Sequence, residues 1–211
     1  MKPILDIYYD NPNEASDMYL KYLKKDCKEN GIEVRVFNNI RDWATVEDPA
    51  NAELFLEPTS NMVDKYDKNT PANVDNPSAT AEGIYRHIVE KCPNRETIIA
   101  VIGRGLVGKQ LINQLIDYGY TVIEFNSKSH KGDMEYLCCD YANVVVGLAT
   151  EQIFDEYTCS VMEDFSNAIL IDSGNNFATK NKLTCGKWTR EVIVERILNR
   201  YKEKEDEWRK Y

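Results

Sequence analysis

The chain has 211 residues, 43% hydrophobic and 29% charged, which is too apolar for disorder and long enough to bury a sizeable core in one domain or two small ones. A formal charge of −9 and a pI near 4.9 set an unfavourable field for a polyanion and argue against nucleic acid as a partner. No apolar run reaches the roughly 18 residues needed to span a bilayer, and Met1-Lys2-Pro3 leads straight into a strand-like segment, so no membrane partner and a cytoplasmic location are expected.

Ile4-Leu5-Asp6-Ile7-Tyr8-Tyr9 reads as a strand, closed by the turn residues Asp10-Asn11-Pro12-Asn13. Residues 14–30 read as an amphipathic helix. Ala15, Met18, Tyr19, Tyr22, Leu23 and Cys27 recur at helical spacing, Lys21, Lys24, Lys25 and Lys28 take other faces, and Asn30-Gly31 supplies the stop. Residues 32–37 alternate as a strand, and Leu54-Phe55-Leu56 is a short apolar run that fits a buried one. From Thr59 to Ser78 the chain is rich in Asn, Asp, Pro and Ser and reads as a long loop. After Gly83, residues 84–89 continue a helix that Cys92-Pro93-Asn94 ends.

The second half opens on residues 97–102, a continuous apolar strand of the kind buried on both faces in parallel sheets. A glycine-rich turn, a helix through Leu111, Leu115 and Ile116, and the strand Thr121-Val122-Ile123-Glu124-Phe125 complete a βαβ unit. Val144-Val145-Val146 and Ile169-Leu170-Ile171-Asp172 extend it towards a doubly wound sheet. Residues 189–209 close the chain as a helix whose mixed charges at 202–207 read as a solvated face. The six cysteines (Cys27, Cys92, Cys138, Cys139, Cys159 and Cys185) contain no C-x-x-C pair. With only His87 and His130 to help them they read as small buried hydrophobes rather than zinc ligands.

The turn Gly103-Arg104-Gly105-Leu106-Val107-Gly108 carries the main chemical signal. A G-x-G-x-x-G string alone says little, but this one follows a buried strand and opens a helix. There glycines permit a tight turn and let backbone N–H groups approach a pyrophosphate at the positive helix end. NADP or NAD is the expected cofactor. Glu124, about 20 residues on, is placed to accept from a ribose 2′-hydroxyl and favours NAD. Arg104, Ser127 and Lys128 are placed to bind a 2′-phosphate and favour NADP. Both choices remain open at this level.

Several segments, in order, resemble those of the methylenetetrahydrofolate dehydrogenase/cyclohydrolase family. Residues 10–19, Asp-Asn-Pro-Asn-Glu-Ala-Ser-Asp-Met-Tyr, are similar to the family's G-D-N-P-A-S-x-x-Y, and Pro71-Ala72-Asn73-Val74-Asp75 to P-x-K-D-V-D. Residues 78–84 resemble P-C-T-P-x-G-I, the glycine turn resembles G-R-S-x-x-V-G-x-P, residues 126–129 resemble H-S-K-T, and residues 171–176 resemble I-D-V-G-I-N.

The resemblance implies a two-domain α/β fold. It has a small N-terminal folate-type substrate domain over residues 1–83, a Rossmann-like dinucleotide-binding domain over 84–188, and a C-terminal helix, 189–209, packing back on the N-terminal domain. It implies oxidation of 5,10-methylenetetrahydrofolate by hydride transfer, a folate as small-molecule partner, NADP (with NAD possible) as cofactor, and a homodimer. Tyr19 would stack on the folate and Asp75 would hydrogen-bond the pterin. Gly103, Arg104, Gly105, Leu106, Val107, Gly108, Asn126, Ser127 and Lys128 would hold the dinucleotide. The family's catalytic lysine falls on Leu23, expected to face the cleft, and its glutamine partner on Glu57. Cyclohydrolase activity is therefore expected to be weak or lost. The alternative is a non-catalytic dinucleotide-binding relative, or a two-domain dehydrogenase acting on another substrate.

Overall fold

The structure, a computed structural model, describes residues 2–9, 14–37, 52–56, 76–126 and 128–208. The chain divides into two compact units, Met1–Ala79 together with Arg190–Tyr211, and Thr80–Thr189. The divisions fall at 79/80 and 189/190 rather than at 83/84 and 188/189. Both lie inside helices, where no change of composition marks them.

The first unit contains β1 (Ile4–Tyr9), α1 (Glu14–Glu29), β2 (Glu33–Phe37) and β3 (Ala52–Leu56). The strands form a parallel sheet of order β2-β1-β3, with Ile4 opposite Glu33 and Leu5 opposite Ala52. Parallel neighbours need a crossover, and α1 supplies it between β1 and β2. Leu5 and Ile7 pack with Leu20, Leu23 and Cys27 of α1, with Ile32 and Leu54, and with Val192, Ile193, Val194 and Ile197 of the last helix, α6 (Gly186–Trp208). The C-terminal helix thus belongs to the core of the N-terminal unit.

Successive strand residues face opposite sides, so Asp6 leaves the side that Leu5 and Ile7 share. It is fully buried, and the register sets it beside Arg35. Arg35 Nε donates to Oδ1 at 2.6 Å and Nη2 to Oδ2 at 2.7 Å, the bidentate pairing that a buried carboxylate requires.

The buried stripe of α1 is Ser16, Leu20, Leu23 and Cys27. Met18 and Tyr22, placed on the apolar face by their spacing, are exposed instead. The expectation that Leu23 faces a cleft is also corrected: its side chain has no exposure and sits in the hydrophobic core.

The second unit holds β4 (Ile98–Ile102), β5 (Thr121–Phe125), β6 (Val144–Gly147), β7 (Ile169–Asp172) and the short β8 (Leu183–Thr184), a parallel sheet of order β5-β4-β6-β7-β8. Alternation divides its side chains between two cores. Ile99, Val101, Val144, Val146 and Ile171 pack against α2 (Asn76–Lys91) and α3 (Leu106–Tyr118). Ala100, Ile102, Val145 and Leu170 pack against α4 (Lys131–Asp140) and α5 (Glu156–Ser166) on the other face. The central strands β4 and β6 are apolar throughout because both of their faces are covered.

The loop expected over residues 59–78 is helical from Asn76 on, while residues 59–75 lie outside the described residues. Helix α2 runs unbroken through Gly83, whose lack of a side chain serves packing: a Cβ there would come within 2.9 Å of the Trp188 carbonyl carbon. All six cysteines are free, and Cys27, Cys138, Cys159 and Cys185 are buried. Burial pushes the Cys27 and Cys138 thiols up to about 12 and those of Cys159 and Cys185 to about 11. Among the described residues no helix is long and apolar enough to cross a membrane.

Candidate functional site

From β4 the chain runs outward to β5, then returns to the other side of β4 to form β6. The sheet order therefore reverses between β4 and β6, and in open α/β sheets ligands bind beyond the carboxyl ends of the strands at such a point. The glycine turn lies there. Gly103 adopts φ +114°, and a Cβ on it would lie 2.8 Å from the Leu148 carbonyl carbon, so only glycine lets the loops after β4 and β6 meet so closely. A Cβ on Gly108 would overlap the Gly103 carbonyl oxygen, which closes the turn onto the first coil of α3.

Gly105 differs from both. It caps α3 in an ordinary extended conformation (φ −74°, ψ −163°), and a Cβ placed on it meets nothing within 4 Å among the described residues. Among the described residues no contact requires glycine there, and glycine brings no capping side chain to the helix end. The start of α3 thus offers backbone N–H groups and a positive dipole end to open space, the surroundings that suit a pyrophosphate. The residues present fit a dinucleotide. Leu106 is exposed on the same helix end, while Val107 is half-buried against the core below.

Beside the turn stand the groups that the sequence set out as candidates for telling the two dinucleotides apart. The Gly103 N–H donates to the Phe125 carbonyl at 3.0 Å, tying the turn to the end of β5. Arg104 Nε then lies 3.4 Å from Glu124 Oε2. Sequence spacing assigned these two residues to opposing cofactor choices, and the fold joins them as an ion pair. Beyond β5, Asn126 Oδ1 accepts from the Lys128 N–H at 2.8 Å, and Ser129 Oγ accepts from the Asn126 N–H at 3.0 Å. Asn126 is therefore used in shaping the turn, and the Lys128 side chain is exposed. Ser127 lies outside the described residues.

The neighbouring loops are held from below. Asp172, almost fully buried at the end of β7, accepts from the N–H groups of Gly174 at 2.9 Å, Asn176 at 3.1 Å and Phe177 at 3.3 Å, and pairs with Lys182 Nζ at 2.7 Å. Asn176 Nδ2 donates to the Ala149 and Glu151 carbonyls at 2.7 and 2.8 Å, so the loop after β7 fixes the loop after β6. A separate cleft of about 820 Å³ lies along α5, away from the glycine turn, lined by Glu156, Ser160, Glu163 and residues 177–182 among others.

In the first unit, Tyr19 is half-buried against the core. Its neighbour Arg190, missed in the sequence reading, lies 5.9 Å from the Tyr19 ring centre and 5.2 Å from that of Tyr22, and its Nε donates to Asp26 Oδ2 at 2.6 Å. No motif announced it, because Arg190 meets α1 only through the return of α6. Glu57 and Asp75 lie outside the described residues.

No protein-family model matches the chain, and no curated protein matches it. Solved structures do. The methylenetetrahydrofolate dehydrogenase-cyclohydrolase of Trypanosoma brucei, complexed with NADP and an inhibitor, aligns with a TM-score of 0.74 at 15% identity over 96% of this chain and 87% of that one. The bifunctional methylenetetrahydrofolate dehydrogenase/cyclohydrolase of Campylobacter jejuni gives 0.72 at 14% identity, over 97% and 89%. The NAD-dependent 5,10-methylenetetrahydrofolate dehydrogenase of Saccharomyces cerevisiae gives 0.67 at 16%, over 96% and 88%. The chain shares the two-domain, Rossmann-like fold of these enzymes.

Proposed function

We propose that this chain is a divergent member of the methylenetetrahydrofolate dehydrogenase/cyclohydrolase family that oxidises 5,10-methylenetetrahydrofolate with a nicotinamide dinucleotide and lacks effective cyclohydrolase activity. The observation that carries the reading is Gly105, a glycine that packing among the described residues does not require, at the start of α3. The likeness to folate dehydrogenases over nearly the whole of both chains supports the choice of substrate, together with the ordered segments that resemble the family's motifs.

The bound dinucleotide would supply the hydride acceptor. The chain's own task is binding and alignment: backbone N–H groups at residues 105–108 would hold the pyrophosphate, and Arg104, Asn126, Ser127 and Lys128 would bind the adenosine end. Tyr19 gives the folate an aromatic face, and Asp75 a hydrogen-bond acceptor. Hydride transfer depends on holding two carbons close and aligned, and the lone pair of the folate nitrogen assists departure of the hydride, so it does not need the missing lysine. Hydrolysis of the methenyl bridge needs an activated water and proton transfers. Leu23 can take no part in those, being apolar and wholly buried. Six unpaired cysteines in an acidic chain support a cytoplasmic location, and the family resemblance supports a homodimer.

The test is to incubate the purified protein with methylenetetrahydrofolate and each dinucleotide, and separately with authentic methenyltetrahydrofolate, following absorbance. Dinucleotide reduction without accelerated hydrolysis is expected. No reduction with either dinucleotide would leave a non-catalytic binding protein, and rapid hydrolysis would show that another residue does the lysine's work.

A further inference from the structure

We infer that the adenosine end of the site selects the unphosphorylated dinucleotide, NAD, because Glu124 occupies Arg104, and that this carboxylate masks a latent site for a 2′-phosphate. The inference rests on the dinucleotide reading above and goes beyond it to the identity of the cofactor.

Two features of the backbone bring the groups together. In the parallel register Glu124 lies opposite Val101, one residue from the end of both strands, and the Gly103 N–H to Phe125 carbonyl bond ties the turn to β5. Arg104, next in the chain, then reaches Glu124 at 3.4 Å. In a βαβ nucleotide site, an acid at the end of the second strand accepts hydrogen bonds from the ribose hydroxyls. Glu124 has both the place and the charge for this.

A phosphate ester at the ribose 2′-position would carry nearly two negative charges to the same spot. It would meet the carboxylate of Glu124 and a guanidinium already partly neutralised by it. The Arg104 and Glu124 side chains are 58% and 34% exposed, so solvent screens their mutual attraction and leaves it weak. Such a pair separates easily when a ribose hydroxyl approaches the carboxylate. Repulsion between phosphate and carboxylate has no such relief while Glu124 stays ionised. Lys128 is one further cation near the turn, and its exposure leaves it strongly screened.

Neutralising Glu124 while keeping its shape should release Arg104 as a phosphate ligand. The experiment is to titrate NADH and NADPH, by nucleotide fluorescence and calorimetry, into the full-length protein, Glu124→Gln, and the double variant Glu124→Gln/Arg104→Ala. The unmodified protein is expected to bind NADH at least about tenfold more tightly than NADPH, and Glu124→Gln to narrow that ratio by about tenfold or more. The double variant is expected to lose the NADPH affinity that the single one gained. An equal or greater affinity of the unmodified protein for NADPH would overturn the inference and leave the dinucleotide site intact, as would a ratio unmoved by Glu124→Gln. Failure of both nucleotides to bind any of the three proteins, with circular dichroism showing them folded, would overturn the underlying dinucleotide reading as well.

Discussion

Three glycines of one short turn perform different tasks, so substitution can separate folding from ligand binding. Gly103 and Gly108 are fixed by the protein itself, through a positive φ against Leu148 and through contact with the Gly103 carbonyl. Alanine at either is expected to destabilise the second unit by about 2 kcal/mol or more, visible as a lower urea midpoint. Gly105→Val should fold with a stability change of about 1 kcal/mol or less, the scale of an altered helix cap, and yet lose dinucleotide affinity by about tenfold or more as its side chain enters the ligand's space. Calorimetry on the parent and variant decides this, and equal affinities would remove the turn from the site. Gly105 was legible in the sequence because strand, turn and helix follow one another locally. Leu23 was legible only in part. Helical spacing put Leu23 and Cys27 on the apolar face, where they are buried, but extended that face too far, to Met18 and Tyr22, and the expectation that Leu23 faces a cleft came from the position of the family's lysine one turn after Tyr19. The buried position carries its own consequence. Leu23→Lys should not restore hydrolysis, since it places an ammonium among Leu5, Ile7 and Leu54 and should cost about 3 kcal/mol or more in stability. Substantial methenyl hydrolysis by a stable Leu23→Lys protein would show that this position reaches substrate after all.

At the scale of elements, α2 and the start of α6 approach closely at Gly83 and Trp188. Gly83 lets the Trp188 backbone approach, and one turn later the His87 ring stacks on the Trp188 indole at 3.8 Å with an angle of 17°. Among the described residues His87 Nε2 is buried without a hydrogen-bond partner. Burial pushes this imidazole below its ordinary value of 6.5, with Lys91 acting the same way and Glu90 opposing them. The folded state therefore binds the proton less readily than the unfolded chain does. The associated stability is fully present above pH 6.5 and is lost as pH falls below that value towards the folded pKa. The urea midpoint of the second unit is expected to fall between pH 7 and pH 5, and His87→Phe should flatten part of that slope; an unchanged slope would show that His87 is protonated as easily folded as unfolded. Nothing in the sequence announced this contact, which joins residues a hundred positions apart. Helices α4 and α5 escaped for another reason. Helix α4 buries only Met134 and Cys138, too little for a clear periodicity. Helix α5 does carry a readable start, since Asp155 accepts from the Thr158 N–H at 2.8 Å, the ordinary geometry of an N-cap.

At the scale of the whole molecule, the second unit is one unbroken stretch, Thr80–Thr189, inserted into a first unit that the chain leaves along α2 and rejoins along α6. The return of the last helix to the first unit was implied only by the family resemblance, while the doubly wound sheet of the inserted unit was legible in outline, because continuous apolar strands alternate with helices. The limits of that unit were not, since the chain passes between the units without a loop. Separate cores mean that ligands should stabilise the two units through different residues. A ligand bound to the folded form alone adds about 2.7 kcal/mol at a concentration one hundred times its dissociation constant, slowing exchange roughly a hundredfold for amides released by unfolding of that unit. Under the proposed function, a saturating dinucleotide should protect the amides of β4 and β6, and a folate should protect those of β1 and α1, as read by hydrogen exchange and mass spectrometry. Protection of β4 and β6 by dinucleotide with none of β1 and α1 by folate would leave a nucleotide-binding protein without the folate reaction. A dinucleotide that left β4 and β6 unprotected would mean that the open space at Gly105 is not where it binds.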